Sequence, residues 1–547
     1  MRRVVIFVVP LVLVLIATGS LANAAPAAQL TAPSPRKLSG TMPAFGDVSG
    51  PAHISPDGLY AVYRADQETD GVLDLWSVRL DGSQPPVKLN GLLPAGKFVR
   101  SDFAITPLGR VVYAAEQDVA GRYDLYSVPL SGGTLTRLSD PAVIGDDVNT
   151  FLITPDGTRV VFNATGLTGR NQLYSVATTG GTVTTLIPPP VLGGFASDLK
   201  LTPNGQWLLF IGDIQVNSRF ELFRVPVLGG PVDKLSGPLA AGGSVISYAL
   251  SPDGIRVAYV AGQDTADQFE VYSVLMAGAV MPSTSDRAEE QSTSLSTQAA
   301  GVKLNPSFPA QADAGDALWI SPDSAYVLYT ADVNIDEAFE LYSVPIDGGT
   351  AVQLNGALVT EGDVDTATAP LFSADSRTVI YRADQQTNDR YELYAVPITG
   401  GPALKVNDPV SGYGITLARL SPNGNHLIFG GQSGGATHER LWSKPMGLGP
   451  VVDLFPGLAL DDTIDSFCAT FSPDGRWLAF SVHDLTTQDG VAYVTRVKGD
   501  LKGTRPRRPG HKETTHATLF GRTQLPGRDH AAAVRYRRWR ARGVNRM

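Results

Sequence analysis

The sequence predicts an all-β chain folded as a single β-propeller of about nine four-stranded blades. Three observations carry this reading. A turn motif returns nine times along the chain, short β-rich runs follow each turn in a fixed order, and 57 Gly and 39 Pro are dispersed at turn positions instead of gathered in one tract. With 43% hydrophobic and 18% charged residues the composition is globular.

The turn is Ser55-Pro56-Asp57-Gly58. It returns at Thr106–Gly109, Thr154–Gly157, Thr202–Gly205, Ser251–Gly254, Ser321–Ser324, Ser373–Ser376, Ser421–Gly424 and Ser472–Gly475. Proline presets φ, Asp or Asn bonds the local backbone, and Gly accepts the positive φ that a tight hairpin requires. After each turn a second strand ends in an aromatic, as in "LYAVYRAD", "QWLLFIGD" and "AYVLYTAD". A third strand follows ("DLWSVRL", "ELFRVPV", "ELYSVPI"), then a Gly-Gly turn in most units and a fourth strand ("PVKLNG", "VDKLSG", "VQLNG").

Closure follows from counting strands. The ninth unit, beginning at Phe471, offers "VAYVTRV" as its third strand and no fourth, while "RKLSG" at Arg36–Gly40 is a fourth strand with no first three before it. The expectation is therefore one ring closed by an N-terminal strand, which leaves no open edge to aggregate. The alternatives are eight blades with a divergent end, or two smaller propellers, although no linker breaks the period near its midpoint.

The propeller is expected to span residues 36–497, with a flexible Ser/Thr/Gln-rich insertion at 277–301 in the fifth unit. Before it, Arg2 and Arg3 precede an apolar run from Val4 to Ala17 and an Ala22-Asn23-Ala24 cleavage site. This describes a secretory signal over 1–24 and a linker over 25–35, the alternative being an uncleaved anchor. The expected location is periplasmic, cell-surface or extracellular, with no stable membrane span after cleavage. From Arg496 onward 15 Lys and Arg stand against 3 Asp and Glu, so the chain's −9 is the balance of a +12 tail and a −21 body. The tail over 498–547, with "RPRRPGHK" and "RYRRWRAR", reads as disordered; its sudden Arg-rich composition also suits a shifted reading frame. Export argues against nucleic acid as its partner.

The unit "SPDG…VVY.AD……ELYSVP..GG…LN" resembles the WD40-like PD40 repeat of the TolB family of exported bacterial β-propellers. That resemblance implies an exported scaffold that binds other proteins, and it implies no catalytic residues. The chain departs from the family in carrying more repeats and no separate N-terminal α/β domain. The same blade pattern also occurs in propellers attached to serine-peptidase domains, so a hydrolase site has to be sought.

Gly431-Gln432-Ser433-Gly434-Gly435 fits G-x-S-x-G, but a nucleophile elbow needs a buried strand before it and a helix after it. Here it falls in the loop between second and third strands of the eighth unit, where a flexible Gly-rich loop is the simpler reading. The seven histidines are scattered, with no i, i+4 pair. Cys468 is the only cysteine, so no intramolecular disulfide can form, and its place before the ninth turn suits a small packed residue. Asn163-Ala164-Thr165 fits a glycosylation acceptor, but in so bacterial a repeat it reads as a polar loop.

Acidic residues before the first strands are the candidate binding groups: Asp47, Asp146, Asp147, Asp363, Asp365, Asp462 and Asp465. First strands are innermost in a propeller, so these carboxylates crowd the channel mouth. On the same face Asp66, Glu116, Asp213, Asp332 and Asp384 stand three residues beyond each second-strand aromatic. They either cap turns through backbone N–H groups or form a ring that attracts a cation, Ca²⁺ weakly at most, or a basic peptide. The functional expectation is a non-catalytic, monomeric scaffold that takes a protein, a peptide or a small polar ligand at this mouth. No cofactor is called for. The alternative is a hydrolase or lyase using the same carboxylates.

Overall fold

The computed structural model describes residues 38–496, apart from 95, 120, 141–143, 168, 277–300, 337, 408–413, 433–438, 447–448, 455–461, 472–476 and 485–489. The predicted signal, the linker, nearly all of the insertion, the ninth turn and the tail lie outside the described residues.

Nine antiparallel sheets follow one another along these residues. Eight have four strands, at 48–88, 104–137, 144–185, 196–234, 245–303, 314–353, 371–405 and 415–453; the ninth, at 462–496, has three. Strand order within each sheet is sequence order, the pattern of a propeller blade. In the first blade the strands are Val48–Ile54, Tyr60–Ala65, Asp74–Arg79 and the two-residue Val87–Lys88.

The turn motif builds the first hairpin of each blade through its side chains. Ser55 Oγ accepts from Tyr60 N–H at 2.9 Å and donates to Asp57 Oδ1 at 2.5 Å, while Asp57 Oδ1 accepts from Leu59 N–H at 3.0 Å. Thr154, Asp156, Thr158 and Arg159 repeat the same bonds in the third blade. Gly157 shows why the last position is glycine: its φ is +72°, and a Cβ there would lie 2.8 Å from Pro107 Cδ in the preceding blade's turn. At Ser324 and Ser376 the same left-handed backbone is held by serine, with φ of 62° and 59°. Each serine hydroxyl accepts the backbone N–H of Asp253 or Asp323 from the turn before.

The aromatic expected to end each second strand lies within it, two or more residues before its end, and pairs in register with an aromatic on the third. Tyr113 stacks on Tyr126, Phe162 on Tyr174, Phe210 on Phe223, Tyr259 on Tyr272, Tyr329 on Tyr342, Tyr381 on Tyr394 and Phe429 on Trp442, with ring centroids 5.4–5.7 Å apart. Alternate residues point to the two faces of each sheet, and the core forms between sheets. Val62, Leu75 and Leu89 of the first blade pack on Val111, Tyr113 and Tyr126 of the second. The pattern then steps along the chain to Ile428 and Leu441 against Ile464 and Leu478.

First strands are the least regular. They are only two residues long in the second and seventh blades and ten in the third and ninth, so Asp146, Asp147, Asp462 and Asp465 lie within first strands instead of before them. The predicted fourth strand at Arg36–Gly40 is not a strand over its described part, Leu38–Gly40.

Candidate functional site

Strand order places two kinds of connection on one face of every blade: the loop from second to third strand, and the link from fourth strand to the next blade's first. The S-P-D-G and Gly-Gly turns lie on the other face. First strands neighbour one another between the third and fourth, fifth and sixth, and eighth and ninth blades, and in the propeller pattern the start of a first strand lies at the inner rim of the long-loop face.

The carboxylates after the second strands have a common geometry. Asp213 Oδ1 accepts from Phe195 N–H at 2.7 Å and Oδ2 from Ser218 N–H at 2.9 Å. Asp66 does the same for Asp47 and Gly71, and Asp384 for Asp363 and Asp389. Asp332 accepts from Asp313 N–H at 2.6 Å. Glu116 takes the Gly121 N–H and an ion pair with Lys97 at 2.8 Å. All five are buried. Asp66, Glu116, Asp213 and Asp384 each close their own loop, and the four aspartates also hold the segment that leads into their blade's first strand.

The candidate residues one step further in divide into two roles. Asp147 Oδ1 accepts from Tyr123 N–H at 2.6 Å and Asp363 Oδ1 from Phe339 N–H at 3.1 Å; both donors precede the third strand of the previous blade. Asp313, absent from the predicted set, does the same with Phe269 N–H at 2.7 Å. These carboxylates clasp one blade to the next. Burial pushes the Asp313 carboxyl upward, and the nearby charges of Asp332, Asp336 and Asp267 add to it. Asp365 is instead ion-paired to Arg382 at 2.8 Å and accepts from Ala367 N–H. Asp47 is exposed. The side chains of Asp146, Asp462 and Asp465 lie outside the described residues, as do Gly434, Gly435 and the candidate nucleophile Ser433.

Sequence reasoning missed the cations at this rim. Arg100, Lys200 and Arg382 reach first-strand carbonyls of the next blade, at Val148, Tyr248 and Ile415, and Arg64 reaches Val99 just before such a strand, over 2.6–3.0 Å. The repeated "YRAD" of the first and seventh units was a signal for two of them. The rim therefore carries both signs, with Arg100 on Asp102 and Lys200 on Asp198 as well. Among the described residues no three His, Cys, Asp or Glu side chains gather as a metal ion would require. No helix among them is long and apolar enough to cross a membrane.

The long-loop face also exposes large apolar side chains. Phe45, Leu92 and Leu192 lead into first strands and are 92%, 89% and 81% exposed. Leu167, Val216 and Ile335 project from second-to-third-strand loops and are exposed too. Asp70, Asp267, Asp336 and Asp389 are exposed on the same loops.

The sequence matches no family model and no curated protein. Solved structures are similar to it at low identity. One is a candidate TolB from Agrobacterium tumefaciens, at 20% identity and a TM-score of 0.26, over 42% of this chain and 77% of that one. Another is a dipeptidyl peptidase 4 from Porphyromonas gingivalis, at 13% identity and a TM-score of 0.48, over 79% of this chain and 64% of that one. A third comes from a study of two prolyl endopeptidases, at 14% identity and a TM-score of 0.38, over 80% of this chain and 55% of that one. This chain thus spans less than two thirds of either peptidase. Such likenesses assign neither family nor activity, and the propeller is read from the nine sheets themselves.

Proposed function

We propose that this protein is an exported, non-catalytic propeller scaffold that binds a protein or peptide partner on its long-loop face. The observation that carries the reading is the set of exposed apolar side chains on those loops, from Phe45, Leu92 and Leu192 to Leu167, Val216 and Ile335. Long loops on a rigid frame are where binding residues concentrate, and exposed apolar groups rimmed by charge suit a protein surface better than a small polar ligand. The exposed carboxylates between them favour a partner with a basic rim. The rim carboxylates support the non-catalytic part: Asp66, Asp147, Asp213, Asp363 and Asp384 already hold backbone N–H groups, and Asp365 holds Arg382. The resemblance of the repeat to TolB-type propellers agrees with export and with protein binding.

The test is capture from the native envelope or medium on the immobilised protein, with two triple variants beside it. Leu92→Asp, Leu192→Asp and Ile335→Asp together alter the long-loop face; Leu59→Asp, Leu108→Asp and Leu228→Asp alter the turn face. The expected result is a saturable protein partner lost only with the first set. Equal retention by both variants, or no partner together with turnover of a peptide or glycan library, would overturn the reading in favour of an enzyme.

A further inference from the structure

We infer that the long-loop face engages its partner across three neighbouring blades: an apolar patch on the fourth takes aromatic or aliphatic side chains, and the junction of the fifth and sixth takes lysine or arginine from the same segment. The occupant is thus a protein segment in which an apolar stretch adjoins a basic one. This deepens the binding reading above and rests on it.

The apolar patch is built from two segments of the fourth blade, 186–195 and 213–220, and the tip of the third-blade loop. Leu167, Leu192, Phe195 and Val216 are all between 42% and 81% exposed. The loop tips meet, because a Cβ on Gly193 would lie 3.3 Å from Asn217 Oδ1. Val191 N–H donates to Ile214 O at 3.2 Å, and Arg170 of the third-blade loop donates to Pro190 O. Phe195 N–H is held by Asp213, and its ring meets Phe220 edge-on at 5.3 Å. Pro188, Pro189 and Pro190 fix the backbone of the link further. A surface held in this way loses little freedom on binding, which separates an anchoring patch from scattered exposed side chains. The only charged residues on the two fourth-blade segments are Asp213, which is buried, and Arg219, which is half-buried. The first two blades expose Phe45, Leu92 and Val119 as well, but with Asp47, Asp70 and Asp118 among them.

One blade further on the surface turns acidic. Segments 262–269, 304–313 and 332–339, which meet at the junction of the fifth and sixth blades, carry five Asp, one Glu and no Lys or Arg. Asp264 is engaged by Lys303 at 3.0 Å, while Asp267 and Asp336 are exposed toward a partner. Their charges converge on Asp313, whose carboxyl is pushed upward by burial first and then by Asp332, Asp336 and Asp267. An arriving cation relieves that mutual repulsion. Ile335, exposed beside Asp336, offers the apolar contact that a lysine or arginine stem makes.

The two patches adjoin. Phe220 O accepts from Val245 N–H at 2.8 Å, and Phe220 N–H donates to Ser244 Oγ at 3.3 Å, so the fourth-blade patch is tied to the fifth blade. Between the patches, residues 238–243 carry no charge, and Leu239, their only large side chain, is buried. The nearby cation Arg219 is engaged by Glu221 and by Leu239 O. A segment crossing from Leu192 to Asp267 therefore passes from an apolar to an acidic surface over small, uncharged residues.

Panning a random library of linear peptides on the full chain tests this. Retained peptides should pair Leu, Ile, Phe or Trp with nearby Lys or Arg, and bind more weakly as salt rises from about 0.05 to 0.5 M. Leu192→Asp with Val216→Asp, and separately Asp267→Asn with Asp336→Asn, should each weaken them about tenfold or more, the second pair also flattening the salt dependence. Val119→Asp on the same face and Leu228→Asp on the opposite side of the fourth blade should leave binding unchanged. All of these side chains are exposed, and an unchanged Tm verifies each fold. No retained peptides, peptides lacking the apolar and basic pairing, or affinity untouched by either double variant would overturn the inference. Loss with Val119→Asp instead would sink it while the long-loop reading stands, and loss with Leu228→Asp alone would sink both.

Discussion

Replacing Asp213 by alanine removes the acceptor of two backbone N–H groups at a site that is 2% exposed. Hydrogen bonds to a buried charge are each worth about 1.5–3 kcal/mol, so Asp213→Ala should cost about 2–4 kcal/mol in denaturant unfolding, and Asp213→Asn should recover only part of it. Asp313 should respond in the opposite sense. Its carboxyl is raised from the ordinary 3.8, so the charged form is a net penalty in the folded protein, absent below the unfolded pKa and fully present above the folded one. Asp313→Asn keeps an acceptor for Phe269 N–H and should raise Tm at pH 7, the gain vanishing as pH falls toward 3.8. Asp57, Asp156 and Asp375 are held below the usual range by the Ser or Thr hydroxyl of their turns, so their contribution is present above 3.8 and lost as pH falls through their lower folded values. The sequence showed where these acids recur but left capping and ligand binding open. For Asp66, Asp213, Asp332 and Asp384 one amide partner comes from 18 to 21 residues earlier, a distance over which no local pattern speaks.

At the scale of the strand, the sixth blade lacks an ion pair that the first, second, fourth, fifth and seventh blades repeat. The first acid of the third strand meets a cation on the fourth in Asp74–Lys88, Asp124–Arg137, Glu221–Lys234 and Glu392–Lys405, at 2.5–3.0 Å. In the sixth blade Gln353 stands where Lys88 and Lys405 stand, and burial raises the Glu340 carboxyl. Gln353→Lys should therefore stabilise the protein by about 0.5–1 kcal/mol at neutral pH, a gain lost in acid once Glu340 protonates. Gly157→Ala should cost about 1–3 kcal/mol, since the new side chain meets both a φ of +72° and Pro107, with the loss read as a lower Tm. Second and third strands were legible because paired aromatics fix their period. First strands were not: bulges shift their pairing in the first, third, fourth, fifth, sixth, eighth and ninth blades, and no repeated residue marks where they begin.

For the whole molecule the hydrophobic core is distributed between neighbouring blades, and each interface reuses the same positions: Val62 and Leu75 in the first, Ile428 and Leu441 in the eighth. This is why the architecture was readable from one repeat, while the exposed leucines of the loop face were not. Nothing in the period predicts which residues of a long link will escape the core. It is also why closure matters, because a propeller left open presents an unpaired sheet edge and the uncovered Val48 at one seam. We propose one sealed ring of nine four-stranded blades, and end-on cryo-EM averages of the purified protein test it most directly. Nine evenly spaced spokes around a continuous ring are expected. Eight spokes, two separate rings, or a gap between the first and ninth blades would contradict it.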